Sequence, residues 1–484
     1  MKTRKLFSAA FLMSGALAMF SSCSNDDGVL NGSNEEVVQT ISLAVANTGD
    51  NFLGSRANRP LYSSEANQSI NNVKVVIYKL NGVDNIQSAT AANMYGKNMT
   101  IVAQKLFTPW MNGGVSSLYS DATNGHGRQA SWTLATSDLI KTPGVYMAYA
   151  VGYNTDDYTE LTAFNALAKG GTADFPLSVT VGKGVKEIFA GSTVFEVAEK
   201  TADAATTNNP SYHFNAKLVL HRQVAGAIGY FTNIPVKGNA DFSEKTGERL
   251  RLVASAENSK AVFAGFNSDF TGGNPSTKPS TVQYVVNGFS TEHAQADAKF
   301  YGSAVNDAHT VYEVTLSEWF TDGDLNSDGL LNENDTWSNK IDATNETVKV
   351  DKGSVLASSF MIPFQYVADK ATFQLQMLDA NGDIIRYWNI RLPQGKDSQV
   401  GSKVTLVKED GTTTEAQTAD NAINYSIVRN HLYNIGVRDN GNDGGGTTDP
   451  QPDPDPDKPQ DLNDETLILR VNDNWEMIHQ MEVD

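Results

Sequence analysis

Across 484 residues there is a single cysteine, Cys23. No intrachain disulfide can form and no thiolate metal cluster can be built. Cations are short as well: 37 Lys and Arg stand against 56 Asp and Glu, a formal charge of −19, with no basic tract after the first five residues. Nucleic acid is excluded as a natural partner, because phosphate binding draws on clustered cations. The seven histidines are scattered, without a His-Glu-x-x-His pair. A nucleophile elbow and a phosphate-cradling glycine loop ending in Lys-Ser/Thr are also missing, so the reading is not an enzyme. Acidic pairs such as Asp156 and Asp157 read as solvated turns. Trp110, Trp132 and Trp388 could line a sugar site, but aromatics in strands are more often core. Helical periodicity is absent outside one short candidate, residues 158–168.

What is present is an all-β pattern. A length of 484 residues exceeds what one core usually supports, and 40% hydrophobic residues suit a globular chain. Short β-branched and aromatic runs separated by Gly, Asn and Asp predict two β-sandwich domains, 57–215 and 216–438. The N-terminal runs are 73–78, 99–107, 132–134 and 144–153. The C-terminal cycle opens at 217–230 and continues through 249–255, 261–266, 282–286, 311–316 and 358–364. A hairpin then joins 372–378 to 383–392 around Asn381-Gly382, and 427–437 closes the body. Asn-Gly tolerates the positive φ of a tight hairpin, which makes this the firmest turn.

The last stretch, residues 465–484, alternates with a period of two. Leu467, Leu469, Val471, Trp475, Met477, Met481 and Val483 share one face of an extended strand, interrupted only by Asp473 and His479. Before it, 439–461 run through glycines and then alternating Pro and Asp, a linker flexible at first and then stiff and self-repelling. Such a linker is expected to hold the strand, within 462–484, away from its own domain. An unpaired amphipathic strand is an aggregation hazard unless it has an acceptor. Addition to a neighbouring subunit supplies one. The alternative is a strand that folds back onto its own sheet.

At the other end, residues 1–22 carry a basic start and a short apolar centre, the pattern of a secretory signal too short to span a membrane comfortably. Ser21 and Ser22 lead into Cys23 as in the lipobox of a bacterial lipoprotein, with Phe20 where leucine is commoner. Lipidation at Cys23 would tether the chain to a membrane without spanning it. Residues 24–27, Ser-Asn-Asp-Asp, resemble an acidic surface-export signal. A first strand, 37–46, places Val37, Ile41, Leu43 and Val45 on one face. A polar Gly/Asn loop follows, 47–60, which reads as exposed and open to proteases. Arg59 precedes proline, so the better trypsin-like bond is Arg56-Ala57; the plain alternative is an ordinary surface arginine.

One segment has metal-ligand spacing. Asp324, Asn326, Asp328, Asn332 and Asp335 occupy positions one, three, five, nine and twelve of a loop, 324–335, with Gly329 at six and the Leu330 carbonyl at seven. Those are the requirements of a calcium loop, and a structural calcium is expected there. An acidic Asn/Asp/Gly turn is the bland alternative.

Taken in order, several features together resemble the fimbrillins of Bacteroidales, most closely the short-fimbria structural subunits. They are the lipobox at Cys23, a first strand followed by an arginine in a loop, the strand 73–78, the segment Val428-Arg-Asn-His-Leu-Tyr-Asn-Ile435, the Asp/Pro linker, and the ending that carries Trp475, His479 and Glu482-Val-Asp484. The resemblance implies two transthyretin-like sandwiches and export as a palmitoylated lipoprotein precursor of the outer membrane. It implies removal of a propeptide, 23–56, with its first strand by an arginine-specific protease at Arg56-Ala57. The C-terminal strand of a neighbour, Leu467 to Val483, would then fill the groove, giving an extracellular, adhesive homopolymer that meets anchor and tip accessory subunits. The calcium loop is not a family hallmark. A tip or accessory adhesin, and a surface glycan-binding lipoprotein that does not polymerise, remain as alternatives.

Overall fold

The computed structural model describes residues 39–47, 70–89, 99–110, 114–121, 125–154, 158–174, 178–180, 185–198, 212, 214–263, 284–289, 296–301, 307–340, 350–365, 372–391, 403–409, 413–417, 426–437, 460–463 and 467–472. The first ten strands are β1 (Gln39–Asn47), β2 (Asn72–Lys79), β3 (Met99–Phe107), β4 (Ser117–Asp121), β5 (Gly125–Thr133), β6 (Gly144–Tyr153), β7 (Thr172–Ala173), β8 (Ser178–Thr180), β9 (Phe189–Val197) and β10 (Phe214–Arg222), with one helix, α1 (Thr159–Asn165). Then come β11 (Ala225–Thr232), β12 (Ile234–Pro235), β13 (Arg249–Ala254), β14 (Lys260–Val262), β15 (Tyr284–Val286), β16 (Gly288–Phe289), β17 (His309–Thr315) and β18 (Leu330–Leu331). The series ends with β19 (Ser354–Met361), β20 (Phe373–Leu378), β21 (Ile384–Arg391), β22 (Lys403–Val407), β23 (Thr413–Gln417), β24 (Leu432–Val437), β25 (Gln460–Asp461) and β26 (Leu467–Asn472). The fold is all-β.

In the N-terminal unit the strand order is β4-β5-β1-β10-β9-β6-β2-β3-β7. β10 and β9 meet over only two residue pairs, His221 with Ala190 and Arg222 with Phe189. The sheet therefore folds over at that joint, and its two halves enclose one buried cluster. The turn needs a close approach: a Cβ at Gly191 would run into the carbonyl of Val219. Between the layers lie Ile41, Leu43 and Val45 of β1, Leu218 and Leu220 of β10, Val73, Val75 and Ile77 of β2, and Phe189 and Phe195 of β9. The other face of β2 and β6 carries Val76, Tyr78, Met147 and Tyr149, covered by Leu161 and Phe164 of α1. Burial on both faces explains why 73–78 reads as a near-continuous apolar run rather than an alternation.

The C-terminal unit has the order β17-β13-β20-β21-β26-β24-β11-β19, with β25 on β11. Its main buried cluster includes Phe231, Leu252, Trp319, Leu375, Trp388 and Tyr433. Trp110, Trp132 and Trp388 are all buried, Trp132 and Trp388 on strands and Trp110 three residues past β3.

Three expectations shift. The segment 217–230 is not one opening strand: it divides at Gln223-Val224 into β10, which completes the first unit, and β11, which begins the second. β10, which lies beyond residue 215 for most of its length, thus belongs to the first large sheet. The C-terminal hairpin is present, but only Gly382 takes a positive φ, of 84°. Asp379 Oδ1 accepts from the backbone N–H of Asn381 and Asp383, so an aspartate-capped turn sets the loop and the register shifts beside Leu378. Finally, β5 begins well before 132–134, at Gly125, and β9 is a strand outside the predicted runs. Their alternation is broken by Gly, His and Ser, which blurs the period of two.

Candidate functional site

β1 runs between β5 and β10. It pairs antiparallel with β5, from Thr40 opposite Thr133 to Asn47 opposite His126, and parallel with β10, from Gln39 opposite Phe214 to Val45 opposite Leu220. An inserted strand with ladders on both sides satisfies its backbone fully, and its odd-numbered side chains reach the core. Its start is fixed by a polar side chain, Gln39, which is fully buried. The Gln39 amide donates to the carbonyls of Ile140 (2.7 Å) and Tyr212 (2.9 Å), and its Oε1 accepts from the Ile140 N–H (2.7 Å). No sequence signal marks Gln39, since its partners lie 101 and 173 residues away. The slot that β1 fills is extended and lined by buried apolar side chains, with one polar end.

The segment 428–435 turns out to join the two units. Arg222 is fully buried and donates from Nε to Glu187 Oε1 (2.6 Å) and from Nη1 to Asn430 Oδ1 (3.0 Å), with its guanidinium over the Phe189 ring. Asn430 has φ 59°, a left-handed conformation asparagine tolerates, and its N–H donates to the Val224 carbonyl (2.8 Å). Around it, the Arg429 N–H reaches the Val285 carbonyl, and Asn287 donates to the Gln223 carbonyl. A buried charge held by a carboxylate and an amide is a domain tie, not a ligand site.

The loop 324–335 closes as a compact turn, with Ser327 and Gly329 at positive φ. Both Asp324 oxygens accept backbone N–H groups, of Asp328 (3.2 Å) and Gly329 (2.8 Å). The Asp335 oxygens accept those of Leu325 (2.9 Å) and Asn332 (2.8 Å). Asp328 accepts from the side-chain amides of Asn332 (3.0 Å) and Asn326 (2.9 Å) and from the Leu330 N–H (2.9 Å). Those bonds, the one from Asn332 foremost, hold its carboxyl below the usual carboxylate range, so it is ionised at neutral pH. The loop is fixed by its Leu330–Leu331 end, which pairs with β12. All six expected ligand positions thus share one turn, yet among the described residues no group of three or more His, Cys, Asp or Glu side chains is gathered as a metal centre.

The C-terminal stretch departs from expectation. Leu467, Leu469 and Val471 lie on β26, which is inserted in the chain's own sheet, antiparallel to β24 and parallel to β21. The linker does not hold this half away from its domain, and the linker's own end, Gln460–Asp461, pairs with β11. For residues 467–472 the fold-back alternative is what the structure has. Trp475, Met477, His479, Met481 and Val483 lie outside the described residues, as do Cys23, Val37, Arg56, Ala57 and the greater part of the 439–461 linker. Among the described residues no helix is long and apolar enough to cross a membrane.

No family model and no curated protein matches the chain. Among solved structures it is similar to the fimbrial anchor protein Mfa2 from Porphyromonas gingivalis, at 8% identity over 81% of this chain and 99% of that one, with a TM-score of 0.29. It is similar to the tip fimbrial protein Mfa3 of the same organism, at 11% identity over 90% and 98%, TM-score 0.28. A candidate adhesin from Bacteroides ovatus aligns at 12% identity over 83% and 89%, TM-score 0.30. These structural neighbours are candidate adhesins and fimbrial proteins of Bacteroidales, at low sequence identity.

Proposed function

We propose that the chain is a structural subunit of a cell-surface fimbria that supports adhesion, exported as a lipoprotein lipidated on Cys23 and cleaved at Arg56-Ala57. Cleavage leaves β1 attached by sheet pairing alone, and an extended segment from the C-terminal stretch of a second copy takes its slot. The observation that carries this reading is β1 itself: a core strand that precedes Arg56 in the sequence, with a ladder on either side that a replacement strand could take up. Backbone bonds along such a slot supply affinity, and side chains at every second position supply register. The fibre grows as a homopolymer and meets anchor and tip accessory subunits at its ends, passing from the outer membrane to the extracellular fimbrium.

The test is the intact mass and N-terminal sequence of protein sheared from cells, together with its migration in an unboiled gel. A start at Ala57 with a high-mass ladder that collapses on boiling is the expected result. A lipidated Cys23 start with one monomer band would overturn it in favour of an anchored surface lipoprotein.

We also propose a structural calcium in the loop 324–335, ligated by Asp324, Asn326, Asp328, the Leu330 carbonyl, Asn332 and Asp335. Calcium at a hundred times its dissociation constant is then expected to raise the stability of the C-terminal unit by about 2.7 kcal/mol. Asp328→Ala should abolish the increment. Melts with calcium and with chelator check it, and identical midpoints would remove the metal from the account.

A further inference from the structure

We infer that the outer face of the C-terminal unit holds a binding site for a neutral glycan, built on Tyr301, Tyr387 and Asn389. The inference goes beyond the fimbrial reading and stands apart from it, because a single unassembled subunit is expected to bind.

The site follows from the period of two across three paired strands. Leu252 of β13, Leu375 of β20 and Trp388 of β21 stand opposite one another and enter the core. The rows on either side therefore face outward: Arg251, Gln376 and Tyr387 in one, Val253, Gln374 and Asn389 in the other. Outward polar rows are ordinarily solvated, yet Gln374 and Gln376 are only 1% and 0% exposed. Residues 299–301 lie over them and are latched by them. Gln376 Nε2 donates to the Lys299 carbonyl (2.7 Å), and Gln374 Oε1 accepts from the Tyr301 N–H (2.9 Å).

The two glutamines also form a chain along the face. Arg251 donates from Nη2 to Gln376 Oε1 (2.9 Å), Gln376 Nε2 to Gln374 Oε1 (2.7 Å), and Gln374 Nε2 to Asn389 Oδ1 (3.0 Å). Buried amides are costly unless paired, and here the pairing fixes two things. It seats Tyr301, whose ring meets that of Tyr387 at a centroid distance of 4.6 Å, with the Phe242 ring edge-on to Tyr301 at 6.4 Å. It also takes up Asn389 Oδ1, which turns the Nδ2 donors of that residue away from the ladder and toward solvent. Tyr301 and Tyr387 are half-buried and Asn389 is exposed. Among the described residues, neither phenol hydroxyl nor Asn389 Nδ2 has a hydrogen-bond partner.

A pyranose presents an apolar C–H face and a rim of hydroxyls. Aromatic rings beside a few fixed polar groups match both: the C–H face lies on a tyrosine ring, and sugar hydroxyls accept from Asn389 Nδ2 and bond with the phenols. Charge favours a neutral sugar. Lys245, 5.9 Å from the Phe242 ring, is held by Asp379 (2.8 Å) and Asp383 (2.7 Å), and Arg251 gives Nε and Nη2 to Gln376. These two cations are already engaged, whereas an acidic sugar would call on them.

The test is electrophoresis of the purified protein in native gels that contain mannan, xylan or laminarin, with heparin as the acidic probe. Retardation by at least one of the three neutral polymers, and none by heparin, is the expected result. Asn389→Ala and Tyr387→Ala should each weaken retardation at least about tenfold, and Tyr387→Phe less than Tyr387→Ala because the ring is kept. Asn389→Ala removes an exposed side chain, so its melt should match that of the unaltered protein, and it decides the matter even where Tyr387→Ala lowers the melt. Migration unaffected by all three neutral polymers would overturn the site, as would retardation that both alanine variants leave unchanged. Retardation by heparin alone would overturn the neutral ligand. A missing gel ladder bears on the fimbrial reading only, and missing retardation on this site only.

Discussion

Loss of β1 with nothing to replace it is expected to unfold the N-terminal sandwich. Burying an aliphatic side chain contributes about 1.5–3 kcal/mol, so Ile41, Leu43 and Val45 together supply about 5–9 kcal/mol. Whole domains are stable by only about 5–15 kcal/mol. To this is added the unpaired backbone of β5 and β10 and the polar end at Ile140 and Tyr212, left without the Gln39 amide. A nick at Arg56 should therefore leave β1 seated, and the cleaved peptide should leave only when another strand enters or when mild urea loosens the sheet. The measurement is the melt of nicked protein before and after separation of the peptide in urea, followed by addition of a synthetic 37–47 peptide. The expected sequence is an unchanged midpoint, then loss of the N-terminal transition, then its recovery. A stripped protein that melts where the intact one does would show that β1 is dispensable and that the slot drives nothing.

The second large effect belongs to Arg222. Arg222→Met removes the buried guanidinium that ion-pairs with Glu187, and breaking such a pair costs about 3–5 kcal/mol. It also cuts the bond to Asn430 that ties the units together. Unfolding should change from one transition to two, because the tie is lost along with the stability of the Glu187 region. Trp110 and Trp132 report on the first unit, and Trp319 and Trp388 on the second. Adding Glu187→Gln to Arg222→Met should return a large part of the lost stability, since a neutral amide is cheaper to bury than a carboxylate. A single mutant that loses under about 1 kcal/mol, with its tryptophans still unfolding together, would rule out a buried ionic tie.

Both effects sit on residues whose importance the sequence shows poorly. Arg222 falls inside an apolar run that reads as one strand, and Gln39 is an ordinary polar residue at a strand start. The segment around Asn430 stood out for its resemblance to fimbrillins, yet its role as the joint between units became visible only with its partners 208 residues away. An asparagine between two strands was a legible sign of a left-handed turn, and could have been read as one.

What the sequence determined by itself is local: the all-β class, the strands at 73–78, 99–107 and 144–153, the buried face of β1, the hairpin at Gly382, and the alternation of the last stretch. Each follows from the period of the strand or from a backbone angle that few residues adopt, and so is written within a few neighbouring positions. The tertiary structure alone decided which strand each one pairs with, where the chain passes from one unit to the other, and that β26 closes its own sheet. Alternation says that a face must be buried but not against what. Backbone hydrogen bonds are alike in every strand, and closing a long loop costs only slowly more with its length, so distant partners leave no mark in the local sequence.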